Sequence, residues 1–260
     1  MGLAILPLEL SQVQDRSLMG TVHGEDLASD SNFPSKPPDL PGRLLLLVQS
    51  WFLPEQIVLT TQILEKGSSE LERAVHQTEQ ELKNLTRDEI LPEGLEELLS
   101  DFQSFDFSID KFYVRNPENL FIASFLSLHC WDEAMGANLN MTLDGETGYA
   151  LSIELEMLDG NKLNYFVSFF KEHTSVETGR KFLDRLGLES EKMEQYGDHV
   201  IFLLTGYPVH CVSILDLKSH TLLIRPELDW DAWENSQANA SISSSTSDWP
   251  VDSDVTNYTK

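Results

Sequence analysis

Residues 151–169, LSIELEMLDGNKLNYFVSF, decide the fold class that we predict for this chain. In the first half, apolar residues alternate with Ser or Glu, the period-two pattern of a strand with one face in solvent. Asp159-Gly160 is a dipeptide typical of a tight hairpin turn. The alternation resumes from Leu163 to Phe169, so this stretch predicts a β-hairpin.

The residues that follow predict the rest of a small, mostly antiparallel sheet. Residues 176–186 have the pattern of a helix that ends at Gly187, a residue favoured just after a helix C-terminus. Residues 199–204 form a continuous apolar run, as in a strand buried on both faces. Residues 209–217 and 221–225 predict a second hairpin.

Upstream, the pattern predicts helices. Residues 43–66 open with a run of leucines, and residues 68–85 repeat apolar residues at spacings of three and four. A short helix is predicted after Pro92, and residues 117–138 carry large apolar residues at helical spacing. The predicted fold class is therefore α+β: a helical N-terminal half followed by a small, mostly antiparallel sheet with one packed helix.

Composition divides the chain into four segments. Residues 1–42 are a Pro-rich lead, predicted to be flexible because proline interrupts helices and strand ladders. Residues 43–143 are the helical region, and residues 144–226 are the α+β region. Residues 227–260 form an acidic, Ser-rich tail that we predict to be disordered, because it has too little apolar surface to offset its ordering entropy.

The charge balance limits the kinds of partner. The 260 residues include 43 acidic and 18 basic side chains, which gives a formal net charge of -25. This excess disfavours nucleic acid and anionic membrane surfaces, both of which are bound mainly through clustered Lys and Arg. No apolar run is long enough for a membrane span, and no signal-peptide pattern opens the chain. Two cysteines are too few for a disulfide scaffold, so we predict a cytoplasmic protein.

Catalytic and cofactor motifs are missing from the sequence. It contains no dinucleotide-binding, P-loop, metalloprotease or nucleophile-elbow motif and no paired cysteines. The late histidines have no zinc-ligand spacing, and the adjacent residues His129 and Cys130 do not face each other on a helix. We therefore predict no catalytic residue, no cofactor and no metal.

An acidic and aromatic motif opens the tail. It comprises Asp229, Trp230, Asp231, Trp233 and Glu234. In one interpretation the tryptophans pack onto the sheet where the last strand ends. In the other, the motif is a linear peptide that docks into a basic, apolar groove of a partner with tryptophan as its anchor.

One part of the chain resembles a known family. Residues 44–56, LLLLVQSWFLPEQ, are similar to the second-helix segment of the growth hormone and prolactin family. Residues 120–143, with Leu128-His-Cys130, weakly resemble the last helix of that family. The resemblance implies a four-helix, receptor-binding hormone.

These observations favour a non-catalytic interaction protein, namely an acidic adaptor or assembly factor that binds a basic protein partner. The grounds are the missing catalytic motifs, the negative charge and the tryptophan-bearing tail. The alternative is a secreted, helical, hormone-like receptor ligand. A third hypothesis is an enzyme whose site forms only in space and leaves no linear motif.

Overall fold

The computed structural model describes residues 38–93, 95, 106–117, 122–132, 137–157 and 163–235. Within these residues, nine strands form one sheet in which every neighbouring pair is antiparallel. The helices are α1 (Leu40–Phe52), α2 (Ser69–Arg87), α3 (Leu163–Glu172) and α4 (Ser175–Leu186), with a 3-10 turn at Pro54–Gln56. The strands are β1 (Val58–Ile63), β2 (Asp106–Arg115), β3 (Ile122–Asp132), β4 (Ala137–Asp144), β5 (Ala150–Met157), β6 (Ser190–Tyr196), β7 (His199–Leu204), β8 (Val209–Asp216) and β9 (Thr221–Leu228).

The spatial order of the strands is β1-β2-β3-β4-β5-β9-β8-β7-β6. Strands β1 to β5 are neighbours in chain order. The chain then crosses to the far edge of the sheet at β6 and returns through β7 and β8, so that β9 pairs with β5. Among the described residues, the two series are joined by four register pairs, Ile153–Glu156 with Thr221–Ile224, and by the hydrogen bond that the Met157 amide donates to the His220 carbonyl. One sheet therefore spans the boundary predicted at residue 144, and the predicted helical N-terminal half is wrong.

The error in the N-terminal half comes from strands that are buried on both faces. Residues 122–132 form β3 and not part of a helix, since Ala123 and Phe125 are buried on one face while Leu126 and Leu128 are buried on the other. When both faces of a strand are apolar, its sequence has apolar residues three and four positions apart, as the sequence of a helix does. The helix predicted over 43–66 divides at Pro54, the residue expected to kink or split it; its first piece is α1, but its second piece is the strand β1 and not a helix.

The second strand of the predicted 151–169 hairpin is also wrong, because Leu163–Glu172 is the helix α3. Adjacent Phe169 and Phe170 are both buried, which a wide apolar helix face allows and a strand with one wet face does not. The turn predicted at Asp159-Gly160 lies outside the described residues, as does most of the helix predicted after Pro92.

Other local predictions are confirmed. Helix α2 begins where expected, with the Ser68 hydroxyl accepting a hydrogen bond from the Leu71 amide at 3.1 Å. Helix α4 is capped by Thr174 and ends at Gly187, whose φ of 66° is the left-handed conformation that favours glycine. Strand β5 and the β8–β9 hairpin also occur as predicted. Strand β7 occupies the predicted residues 199–204, but the prediction that both of its faces are buried is wrong, because only alternate residues are buried along it.

Two buried ion pairs fix the helices. Arg43 of α1 donates from Nε and Nη2 to the two carboxylate oxygens of Asp144, at 2.7 and 2.9 Å. Arg185 of α4 contacts Glu81 of α2 and donates to Asp88 at 2.7 Å, while Glu81 also accepts the amide hydrogen of Ala150 at the start of β5. These contacts tie α1, α2 and α4 to the same sheet.

The two faces of the sheet differ in chemistry. Leu128, Leu139, Leu155 and Leu222 are buried on one face, where α2 packs against β2 and α4 packs against β7 and β8. The alternating residues of β2, β3, β4, β5 and β9 are largely polar. No helix among the described residues is long and apolar enough to cross a membrane.

Candidate functional site

A groove of about 540 Å³ crosses the polar face of the sheet over β2, β3, β4, β5 and β9. We call this feature the polar groove. The side chains that line it from the polar face are hydroxyls, one amide, one imidazole, two carboxylates, one guanidinium, one leucine and one indole. Three further residues, Leu128, Met141 and Ile153, border the groove although their side chains lie on the opposite face. The polar-face residues are Trp51, Ser108, Asp110, Ser127, His129, Asn140, Thr142, Ser152, Glu154, Leu223 and Arg225.

Strand register brings these residues together from distant parts of the chain. Ser108 lies opposite His129, His129 opposite Asn140, Asn140 opposite Glu154, and Glu154 opposite Leu223. Because directly opposed residues point to the same face, the five side chains form one row across the sheet.

A second row lies two residues along each strand. Asp110 is opposite Ser127, Ser127 is opposite Thr142, and Thr142 is opposite Ser152. Three neighbouring hydroxyls therefore lie beside the carboxylate of Asp110. Hydroxyls both donate and accept hydrogen bonds, so this row can pair with the amides and carbonyls of an extended chain.

Hydrogen bonds order the first row. His129 Nδ1 is hydrogen-bonded to Asn140 Oδ1, and Asn140 Nδ2 donates to Glu154 Oε2 at 3.3 Å. These contacts hold the amide and the carboxylate in one orientation across three strands. A preorganised carboxylate loses less side-chain entropy when it binds a ligand.

The charge of the polar groove is negative. Among its described lining residues Arg225 is the one Lys or Arg side chain, and its Nε donates to Glu227 at 2.7 Å. The pKa of Glu227 is lowered, first by its hydrogen bond with His210 and then by Arg225. Glu227 therefore offsets the charge of Arg225, and Asp110 and Glu154 leave the groove net negative.

An aromatic side chain lines the same groove as Asp110 and Glu154. Trp51, at the C-terminal end of α1, lines the polar groove and is 40% exposed. An accessible indole beside acidic groups favours a cation, because an ammonium or guanidinium group can stack on the ring.

The sequence signal for the polar groove is weak. The alternation of Ser152 and Glu154 in β5 predicts a wet face, which the structure confirms. The residues of β3 fall in a segment predicted to be helical, so the sequence offers no reason to align His129 or Ser127 with them.

The start of the tail is ordered beyond the predicted boundary. Strand β9 includes Glu227 and ends at Leu228, and residues 230–235 are helical. The Asp229 carboxylate accepts a hydrogen bond from the Ala232 amide at 3.0 Å, as an N-cap residue does. The disorder predicted from Glu227 therefore does not begin there, and residues 236–260 lie outside the described residues.

The structure separates the five residues of the predicted tail site. Trp233 is partly buried against the core, in line with packing onto the sheet. Trp230 is 48% exposed, and Asp231 and Glu234 are also exposed. Trp230 is therefore the accessible indole of the motif, while Asp229 caps the helical turn.

One other cluster has the residue types of a metal site. Ligand atoms of Glu89, His173 and Glu177 lie within 4.8 Å of one another. The Lys181 ammonium lies 2.6 Å from Glu89 and 3.2 Å from Glu177, and so already supplies a positive charge to both carboxylates. The cluster is explained as an ion-pair network.

The two cysteines are buried thiols that are not joined in a disulfide. Cys130 lies on β3 and Cys211 on β8. Burial raises the pKa of Cys211 to about 12, so its reactive thiolate form is suppressed at neutral pH.

No protein-family model matches this chain, and neither the curated proteins nor the solved structures include one that matches it significantly. Of the two stretches that resemble the growth hormone and prolactin family, residues 44–56 include most of α1. The described part of residues 120–143 forms β3 and β4 rather than a helix.

Proposed function

We propose that this chain is a non-catalytic, cytoplasmic adaptor or assembly factor whose polar groove receives an extended, basic segment of a protein partner. One observation carries the proposal. The groove combines Asp110 and Glu154 with the accessible indole of Trp51, while Arg225 is offset by Glu227.

The lining groups suit a peptide that contains Lys or Arg. A cationic side chain can pair with Asp110 or Glu154, both half-buried, and a second can stack on Trp51. The partly exposed hydroxyls of Ser127 and Ser152 supply hydrogen bonds to the peptide backbone. These interactions select for positive charge and an extended conformation, and need no fixed sequence.

The net charge of -25 supports the same class of partner. A negative field attracts a cationic segment from a distance and raises the association rate, and salt screens this effect. Binding should therefore weaken as ionic strength rises, mainly through slower association.

The test measures the binding of a labelled peptide of alternating Lys and Ser to the full chain by fluorescence anisotropy. Asp110→Asn and Glu154→Gln should each raise the Kd by roughly three- to tenfold, as expected for loss of about 1 kcal/mol of charge-assisted contact. Trp51→Ala should raise the Kd by about two- to fivefold through loss of stacking.

The matched control is Glu191→Gln, which removes the same charge from an exposed position outside the groove. Glu191 lies on the edge strand β6, which β7 and β8 separate from the nearest groove strand, β9. It should change the Kd only slightly, because it alters the long-range field alone. A control peptide with Glu in place of Lys should not bind. If Glu191→Gln weakens binding as much as the groove variants do, the groove is not the binding site and the proposal fails.

A further inference from the structure

The polar face of the sheet has a third row of side chains, on the other side of the first row. Trp131 of β3 is opposite Asn138 of β4, and Asn138 is opposite Glu156 of β5. Glu156 is in turn opposite Thr221 of β9. Each of these residues is two positions from a member of the first row on the same strand, so its side chain points to the same face. The third row therefore continues the polar face beyond the lining of the groove.

The central amide of the third row differs from that of the first. In the first row Asn140 is hydrogen-bonded on both sides, to His129 and to Glu154. In the third row Trp131 takes the place of the imidazole, and the Asn138 Oδ1 atom is buried without a hydrogen-bond partner. A buried carbonyl oxygen without a donor costs free energy, so it favours a ligand that brings an N–H group to it.

The neighbours of this amide oxygen are within reach of a ligand. Trp131, Asn138 and Glu156 are each half-buried. The terminal torsion of an Asn side chain turns over a broad range, so a small rotation aims Oδ1 at a ligand that lies above the row. None of the ion pairs within the described part of the chain involves Glu156, whose carboxylate is therefore available to a cation.

We propose that Trp131, Asn138 and Glu156 form an arginine subsite beside the polar groove, and that the groove selects segments with two basic residues separated by one residue. This inference rests on the proposed function and defines its partner more narrowly. One basic residue pairs with Glu154 in the first row. The other is an arginine that occupies the arginine subsite in the third row.

The spacing of two carboxylates sets the spacing of the basic residues. Glu154 and Glu156 are two residues apart on β5, which is about 7 Å along a strand. Residues i and i+2 of an extended segment point to one side and are also about 7 Å apart. Asp110 lies three strands from β5, about 14 Å across the sheet, and fits such a pair less well. A segment that occupies both rows therefore runs along β5 and not across the strands.

The arginine subsite favours arginine over lysine. A cation above Asn138 lies between the indole of Trp131 on one strand and the carboxylate of Glu156 on another. A planar guanidinium can donate to the carboxylate and to the amide oxygen at once, while its face stacks on the indole. An ammonium is a point charge without this planar fork, so it makes fewer of these contacts together.

The experiment measures the binding of labelled peptides to the full chain by fluorescence anisotropy. Two peptides of equal composition and charge carry either Arg-Ser-Arg or Arg-Ser-Ser-Arg within a run of serines. The wild-type chain should bind the first about three- to tenfold more tightly, because only that spacing places both cations on one side of an extended segment. A Lys-Ser-Lys peptide should bind about two- to fivefold more weakly than Arg-Ser-Arg.

Variants of the arginine subsite should act on the spacing preference itself. Glu156→Gln should remove most of the preference for Arg-Ser-Arg, because it removes the second carboxylate. Asn138→Ala should reduce the preference in the same direction, because it removes the amide oxygen. The matched control is again Glu191→Gln, which removes the same charge from β6 and should leave the preference intact.

The outcomes separate this inference from the proposed function. Equal binding of the two spacings by the wild-type chain overturns the arginine subsite, and so does a preference that Glu156→Gln and Glu191→Gln reduce equally. If Glu154→Gln still weakens both peptides in that case, the polar groove stands as the binding site without the arginine subsite. A chain that binds neither peptide overturns both proposals.

Discussion

Replacing Asp144 with Asn should destabilise the fold more than any change to an exposed ion pair. The Asp144 side chain is fully buried and that of Arg43 is 8% exposed. Asn keeps the shape and one acceptor oxygen, but it cannot accept both hydrogen bonds from Arg43 or balance its charge. The substitution therefore leaves a buried guanidinium without its counterion.

The magnitude follows from the contacts that are lost. A hydrogen bond to a charged group contributes about 1.5–3 kcal/mol, and removing one partner of a buried ion pair costs about 3–5 kcal/mol. Asp144→Asn also weakens acceptance of the Thr147 amide and hydroxyl hydrogens. We expect the free energy of unfolding to fall by about 3–4 kcal/mol, which is a large part of the stability of a typical domain.

The assay is equilibrium unfolding in urea, followed by circular dichroism and tryptophan fluorescence. Arg43→Met should cost a similar amount, and the double variant should cost less than the sum of the two because the partners are coupled. Glu194→Gln, in the more exposed pair with Lys192 on β6, is the control and should cost less than about 1 kcal/mol. A loss below about 1 kcal/mol for Asp144→Asn would refute the reasoning.

Three further predictions concern packing, thiol reactivity and pH. Gly179→Ala should lower the melting temperature, measured by circular dichroism, because the new Cβ would lie 2.5 Å from a ring carbon of Phe202. Overpacking of this kind costs about 1–3 kcal/mol, which exceeds the gain in helix propensity of up to about 1 kcal/mol. Cys211, whose pKa burial raises to about 12, should resist alkylation in the native protein near neutral pH and react fully in urea, as read by intact mass; rapid native labelling would contradict its burial. The pKa of Glu227 is lowered from 4.5 by its hydrogen bond with His210, so the stability it contributes is present above that value and lost as pH falls through the lower folded-state pKa. Glu227→Gln should therefore flatten the loss of stability below pH 4.5 in urea titrations, and an unchanged pH profile would show that this carboxylate is not linked to folding.

Elements with local signals could be predicted from the sequence. Helix α4 has a capping Thr174 at its start and Gly187 at its end, and both act through the backbone of their own neighbours. Strand β5 could be predicted because one of its faces is wet and its residues alternate. Strand β3 could not, since Ala123 and Phe125 put buried apolar residues on the face that carries Ser127 and His129, and the alternation that marks a strand is lost over that part.

The polar groove could not be predicted from local sequence patterns, for a different reason. Ser108 and Glu154 belong to one row only because three strand pairings set their register, and no spacing along the chain encodes that alignment. Charge alone indicated a cationic partner, but it could not distinguish the groove from the tail motif, where Trp230 offers a similar indole.

The order of the strands along the chain also affects how the sheet forms during synthesis on the ribosome. Strand β5 ends at Met157, but its partner β9 is complete only at Leu228, which is 71 residues later. At a synthesis rate of roughly 5–20 residues per second, about 4–14 s pass between the synthesis of β5 and the completion of its partner β9. During that interval a nascent chain presents an unpaired strand to other nascent chains and to chaperones. A premature stop codon before Thr221 would make this temporary state permanent and would expose β5 and β8 together.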